Sequence, residues 1–326
     1  MPTKSILKTA LLCALAMATT GLVSRPGNAA YPDRPVTVIV ASAAGGSVDL
    51  LARILTTQLA ASMGQPFVVE NRPGGEGLLG NGIVAKAKPD GYTISVNGGS
   101  ETTAPALHRT IAYDPRTQLT AIAEVARTPI MIVASTKAGV KTLAELIDHI
   151  KKNPGKLNAA TSGNGSRLST AAFQIRTGTQ FTVVPFAQTP QINPSLMAGE
   201  TDFGVMDTLA WAGMAGQPGI TLLAIASDKR LPNLPDTPTA TEAGLPGFTI
   251  SSIYGVYTTG GTPPAIIEQL NKELNRVTAL PEVIEQFHKI SLTRSVTTVA
   301  EAQKAYLDQL VKWKEVAREV GLEAAD

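Results

Sequence analysis

Two short glycine-rich runs hold the residue types best suited to binding an anion. They are Ala41-Ser42-Ala43-Ala44-Gly45-Gly46-Ser47 and Thr161-Ser162-Gly163-Asn164-Gly165-Ser166. Each follows a strand-like stretch and opens a helix, where backbone N–H groups lack intrahelical partners and the helix dipole favours negative charge. Glycine allows close approach to that backbone, and serine or threonine adds hydroxyl donors. Two such loops far apart in the chain imply a cleft that closes on a carboxylate or similar ligand. Arg167, just past the second run, can grip a carboxylate with two hydrogen bonds, or stand on the solvent face of its helix. Asp207 ends the apolar stretch Phe203-Gly204-Val205-Met206, where a parallel sheet presents residues to a cleft. Its carboxylate can accept from a ligand amino or hydroxyl group, or cap a loop. Asp49 falls in the first turn of its helix, where it complements the dipole.

Other chemistries fit less well. Gly75-Glu76-Gly77-Leu78-Leu79-Gly80 has the spacing of a dinucleotide fingerprint, but Asn71-Arg72-Pro73-Gly74 separates it from the preceding strand. The run reads as a flexible loop leading into a helix. His108, His149 and His288 are scattered, and the chain has one cysteine, Cys13, so no residues have metal-ligand spacing. No metal or cofactor is expected. The serines around Gly163 have no histidine nearby in sequence; Ser166 and Ser169 read as helix-capping and turn residues, a role compatible with anion binding because a capping region is also an anion site.

The elements that position these loops come after a processing segment, residues 1–30. Lys4 and Lys8 make a basic start and residues 10–23 are apolar, too short for a membrane span. Gly27, Asn28, Ala29 and Ala30 offer cleavage near Ala29 or Ala30. Cys13 lies inside this leader, with Leu11 and Leu12 where a lipobox has small residues, and reads as an ordinary leader position. The whole chain carries +2; loss of Lys4, Lys8 and Arg25 removes three positive charges and leaves −1. Near-neutrality argues against nucleic acid or a polybasic membrane surface. A secreted chain without disulfides fits a bacterial periplasm and relies on its hydrophobic core.

Strands and helices then alternate. Strands at 36–40, 67–69 and 92–96 enclose helices at 47–63, closed by Gly64, and at 78–87, giving βαβαβ and a parallel sheet. After a break come a strand at 130–133 and a helix opened by the capping box Thr142-Leu143-Ala144-Glu145. Short strands follow at 181–184, 202–206, 222–226 and 253–257. Late helices start at Pro264, Pro281 and the box Thr298-Val299-Ala300-Glu301. The chain thus passes from one lobe to a second and returns, with a ligand between them at the strands' carboxyl ends.

At this point the sequence resembles the Bug family, the periplasmic solute-binding proteins of tripartite tricarboxylate transporters. The resemblance rests on Tyr31-Pro32-Asp33-Arg34-Pro35-Val36, Gly45-Gly46-Ser47-Val48-Asp49, Val69-Glu70-Asn71-Arg72-Pro73-Gly74, Pro89-Asp90-Gly91-Tyr92-Thr93, Tyr113-Asp114-Pro115, Asn153-Pro154-Gly155-Lys156-Leu157, Ser162-Gly163-Asn164-Gly165, Leu234-Pro235-Asp236-Thr237-Pro238-Thr239 and Glu242-Ala243-Gly244-Leu245-Pro246-Gly247, in order through the mature chain. It implies a two-lobed type II periplasmic-binding-protein fold, each lobe a mostly parallel sheet flanked by helices. It implies lobe 1 at 31–124 plus 252–326, lobe 2 at 125–251, and hinges near 124–128 and 250–254. The same resemblance implies that the loops 41–47 and 161–166 hold a ligand carboxylate, that Asp207 faces the cleft, and that the segment with Asn97, Gly98 and Ser100 lines the first lobe.

The chain departs from the family pattern at Ala41-Ser42 (usually Pro-Phe), Ala44 (proline), Phe186 (tyrosine), Ala187-Gln188 (Lys-Gly) and Ser169 (often histidine). The small Ser42 leaves room for a larger ligand, such as an aromatic or branched carboxylate. The expected function is capture of a small organic carboxylate, aromatic or dicarboxylate, by a monomer that delivers it to the membrane permease subunits of a transporter, without catalysis. A ligand sensor presenting its closed form to a membrane receptor is the alternative. A secreted hydrolase using Ser162 or Ser166 is a third reading.

Overall fold

The computed structural model describes residues 31–186, 191–208, 214–290 and 292–322. The chain forms two compact units, residues 1–33 and 34–326. Of the first only 31–33 are described, so the leader, Cys13 and the cleavage position lie outside the described residues, as do Ala187 and Gln188. Every element below belongs to the second unit.

β1 (Val36–Val40) lies between β2 (Phe67–Asn71) and β3 (Thr93–Asn97) and is parallel to both. The connection from β1 to β2 is α1 (Ser47–Met63), which buries Leu51, Ala52, Leu55 and Leu59 on one face. It stops at Gly64, whose φ of 72° is a left-handed conformation that a side chain would strain. α2 (Leu78–Ala85) leads to β3, and α3 (Ser100–Leu107) follows it. In the second half β5 (Asn158–Ser162) lies between β6 (Thr182–Phe186) and β7 (Phe203–Asp207), again parallel to both.

Two long strands join these halves. β4 (Leu119–Ser135) is buried at most positions. Its first part pairs antiparallel with β9 (Ser251–Thr259), and its second part with β7 and β8 (Ile220–Ile225). β9 in turn lies antiparallel to β3. The strand order is β2-β1-β3-β9-β4-β7-β5-β6, with β8 and β10 (Thr293–Arg294) also on β4. Parallel ladders therefore occupy the outer strands, where helical crossovers return the chain in one direction. The antiparallel ladders at the centre belong to the strands that carry the chain from one half to the other.

α4 (Leu143–Lys152) starts at Thr142, whose hydroxyl accepts from the Glu145 N–H at 3.2 Å. Glu145 itself accepts from the Lys141 N–H rather than from Thr142, so that capping box forms only in part. α5 (Gly163–Thr177) and α6 (Ile192–Ala198) flank the second sheet region. α7 (Pro264–Val277), α8 (Pro281–Lys289) and α9 (Val299–Glu319) complete the described chain, and Thr298 with Glu301 forms a full capping box for α9. α9 serves two cores. Ala302, Tyr306 and Leu310 pack with Ile39, Val84 and Tyr257, while Trp313 and Ala317 pack with Ile130, Leu143, Phe173 and Phe203.

Candidate functional site

The carboxyl ends of β1, β5 and β7 open into a cleft of about 290 Å³. On one side it is lined by Ala41, Ser42, Glu76, Gly98, Ser100 and Thr103. On the other stand Ser162, Gly163, Asn164, Gly165, Ser166, Met206 and Asp207, with Ser252 of β9 between.

The first glycine loop is braced from beneath. Asp49 is 3 % exposed and accepts from the Gly45 N–H at 2.9 Å, Asn71 Nδ2 at 3.0 Å and Arg53 Nε at 3.0 Å. Asn71 also donates to the Ser42 carbonyl at 3.2 Å. The Arg53 bond above all, with those from Gly45 and Asn71, holds the Asp49 carboxyl below its ordinary range against the cost of burial. Asp49 thus does more than complement a dipole: it ties loop 41–46 to β2. Gly45 (φ 81°) spends its N–H on Asp49 rather than on the cleft. Ala43, Ala44, Gly45 and Gly46 are exposed beside the cleft, whereas Ala41 and Ser42 line it. The Ser42 hydroxyl is buried and has no hydrogen-bond partner among the described residues. Ser47 pairs its side chain with the Tyr254 phenol.

Across the cleft, the residues bearing the first N–H groups of α5 are themselves lining residues. A Cβ on Gly163 or Gly165 would meet nothing within 4 Å, so this backbone is open to a ligand. Thr161 is buried beneath it. Ser166 donates its hydroxyl to the Val205 carbonyl at 2.8 Å, and no histidine lines the cleft among the described residues. Arg167 is not brought to the cleft. One residue further along the helix turns it by about 100°, and it lines a separate concavity with Ala171, Gln174, Val183 and Pro185.

Asp207 reaches the cleft from the end of β7. Burial, with the Asp207 carboxylate nearby, holds the Tyr254 phenol well above its ordinary pKa. Tyr254, 2 % exposed, is a site neighbour that sequence reasoning treated only as a hinge boundary. Gly98 makes room for it: a Cβ there would stand 2.8 Å from Tyr254 Cε1. Asn97 is turned away from the cleft. It is 1 % exposed and donates to Asn81 Oδ1 at 2.9 Å and Ser95 Oγ at 3.1 Å, because a buried amide needs partners on its own side of the sheet. Ser100 lines the cleft and receives Asn81 Nδ2 at 3.4 Å.

The run expected to be a flexible loop is instead a turn of 3-10 helix at Gly75–Gly77. Its glycines serve packing: a Cβ on Gly77 would lie 2.6 Å from Ser100 Cβ, and one on Gly80 2.7 Å from Ala41 Cβ. Within it Glu76 has a φ of 55°, the one left-handed non-glycine among the described residues, and its Oε2 lies 3.1 Å from His108 Nε2. Behind the cleft, a recess of about 30 Å³ shares Gly98, Thr103, Gly165 and Ser252 with it and is lined further by Glu101, Tyr257, Tyr306 and Trp313. Glu101 accepts from the Tyr257 hydroxyl at 2.8 Å and the Gly99 N–H at 3.1 Å, and burial pushes its pKa up to about 7. Ser169, at 1 % exposure, borders the same recess.

A two-lobed α/β fold with its cleft at the strand ends is the architecture of periplasmic binding proteins. The model of the tripartite tricarboxylate transporter family receptor matches residues 51–322, and the chain belongs to that family. Protein BugT of Bordetella pertussis is 31% identical over 309 residues, 94% of this chain and 95% of BugT. The structure of Rhodopseudomonas palustris Rpa4515 with adipate superposes with a TM-score of 0.79 at 29% identity, covering 89% of this chain and 98% of that one. The periplasmic binding protein BugD superposes with a TM-score of 0.76 at 30% identity, covering 90% and 99%.

Proposed function

We propose that this chain captures a small organic carboxylate in the periplasm and presents it to the permease subunits of a tripartite transporter. No bond is made or broken in this reading. The observation that carries it is the Ser42 hydroxyl, buried and without a partner among the described residues, in a cleft also lined by the open helix start at Gly163–Ser166. A ligand carboxylate satisfies both: its oxygens accept from the hydroxyl and from backbone N–H groups whose dipole favours the charge. Asp207 faces the ligand's other polar groups. Adipate in Rpa4515 supports the ligand class.

In this reading the lobes are 31–124 with 252–326 and 125–251, and closure bends β4 and β9 where they leave one set of partners for the other. The protein acts as a monomer after its leader is removed near Ala29 or Ala30.

The test is native mass spectrometry of the protein purified from its own cell envelope, with thermal melts against a panel of organic acids. A bound acid should raise the melting temperature with the logarithm of its concentration, by about 5 °C at a hundredfold excess over Kd. A panel without any shift, together with no co-purifying acid, refutes the reading.

A further inference from the structure

We propose that the concavity beside Arg167, separate from the cleft, is a second binding site, and that it takes a monocarboxylate with an apolar body. The proposal does not depend on what the cleft holds.

The site is built where three elements meet. Arg167, Ala171 and Gln174 are spaced by four and then three residues on α5, so they share one face of that helix. Val183 and Pro185 stand two apart on β6, the strand at one end of the described sheet order, and share one of its faces. Val320 and Leu322 bring in the end of α9. The space between them is about 340 Å³, within the range of small-molecule pockets. Most of the wall is apolar, and Val183 is 38 % exposed on it.

The second observation is the state of Arg167. It is half-buried, and no described residue bonds its guanidinium. The other half-buried arginine among the described residues, Arg294, donates to Thr278 Oγ1 at 3.2 Å and to the Asn275 carbonyl at 2.9 Å. No acidic residue is among the described residues lining the concavity, so the charge of Arg167 is not met from its walls. A guanidinium in that position has lost part of its hydration without gaining an acceptor, and a ligand carboxylate can accept from it with two hydrogen bonds. The ligand's body then lies along Ala171 towards Gln174, which is about 10 Å further along the helix axis. Charge at one end and apolar wall beyond it define the ligand class: one carboxylate, followed by a hydrocarbon chain or ring.

The test is an amide NMR titration of the full mature protein with octanoate, octanamide and acetate. Octanoate carries both charge and body, octanamide the body alone and acetate the charge alone. The amides of Val183 and Leu322 report on the concavity, and those of Ser42 and Asp207 on the cleft. Octanoate should shift Val183 and Leu322 with an affinity about tenfold or more above that of either control. Arg167→Gln should bring octanoate down to the level of octanamide at those amides, and glutamine keeps α5 helical. Absence of octanoate shifts at Val183 and Leu322, equal affinity for octanoate and octanamide there, or octanoate binding unchanged by Arg167→Gln each overturns the proposal. So does octanoate binding that appears only in the full chain carrying Glu323→Gln with Asp326→Asn, since the chain's own acidic end is then the occupant.

Discussion

Replacing Glu101 with glutamine tests whether a buried carboxyl sets the pH dependence of stability. Glu101 is 1 % exposed, and burial lifts its pKa from 4.5 to about 7 despite bonds from Tyr257 and Gly99. The native protein therefore holds this proton more tightly than the unfolded chain. The stability the site contributes is complete below pH 4.5, declines as pH rises towards 7, and stays lost above it. The span corresponds to about 3 kcal/mol, and water entering the adjoining recess would lower that figure. In Glu101→Gln the amide oxygen can accept the Gly99 N–H, and the amide nitrogen can donate to the Tyr257 oxygen once that hydroxyl rotates. Shape and bonds are thus preserved while the titration is removed. Urea unfolding of both proteins at half-unit steps from pH 4.5 to 8 should show the variant gaining on the parent by about 3 kcal/mol, or about 6 °C in Tm. Two curves that stay parallel within about 0.5 kcal/mol would refute the reasoning.

Asp49→Ala should cost about 2–4 kcal/mol, because it strands the Gly45 N–H and one Asn71 donor while the half-exposed Arg53 pair adds little. The lowered Asp49 pKa places that contribution at full strength above about pH 4, so denaturation should show a constant gap from pH 5 to 8 that narrows as acid is added. Gly80→Ala puts a Cβ 2.8 Å from Ala41 Cα and 3.1 Å from the Arg72 carbonyl, so backbone must move. It should destabilise by about 1–3 kcal/mol in urea.

Where hydrophobic period and glycine punctuation agree, the sequence is a good guide. α1 begins and ends at the residues that Gly46 and Gly64 suggest, and β1 to β3 run in the order read. β4 was legible only at 130–133, because Glu124 and Arg127 interrupt the apolar pattern. In the fold these two pair with each other, which lets the strand continue through them. α3 carries two threonines and Pro105, so no amphipathic period announces it. In the cleft, residue type together with position at strand ends and helix starts pointed to Ser42, the helix start at Gly163 and Asp207, which line it, but could not say which way Arg167 or Asn97 would turn. Those directions depend on helix phase and on buried amide partners. Glu76 was overlooked inside a glycine run, although a lone charged residue among glycines is itself a signal of a backbone position that glycine would fill more easily.

The last long helix has a consequence for how the protein comes into being. Ala302, Tyr306 and Leu310 of α9 complete one core and Trp313 and Ala317 complete the other. Neither core closes until residues 299–319 are in place, so a single helix couples the folding of the two halves. A truncation that removes only the final two turns of α9 would leave a hole in the second core, and loss of the whole helix would unmake both together.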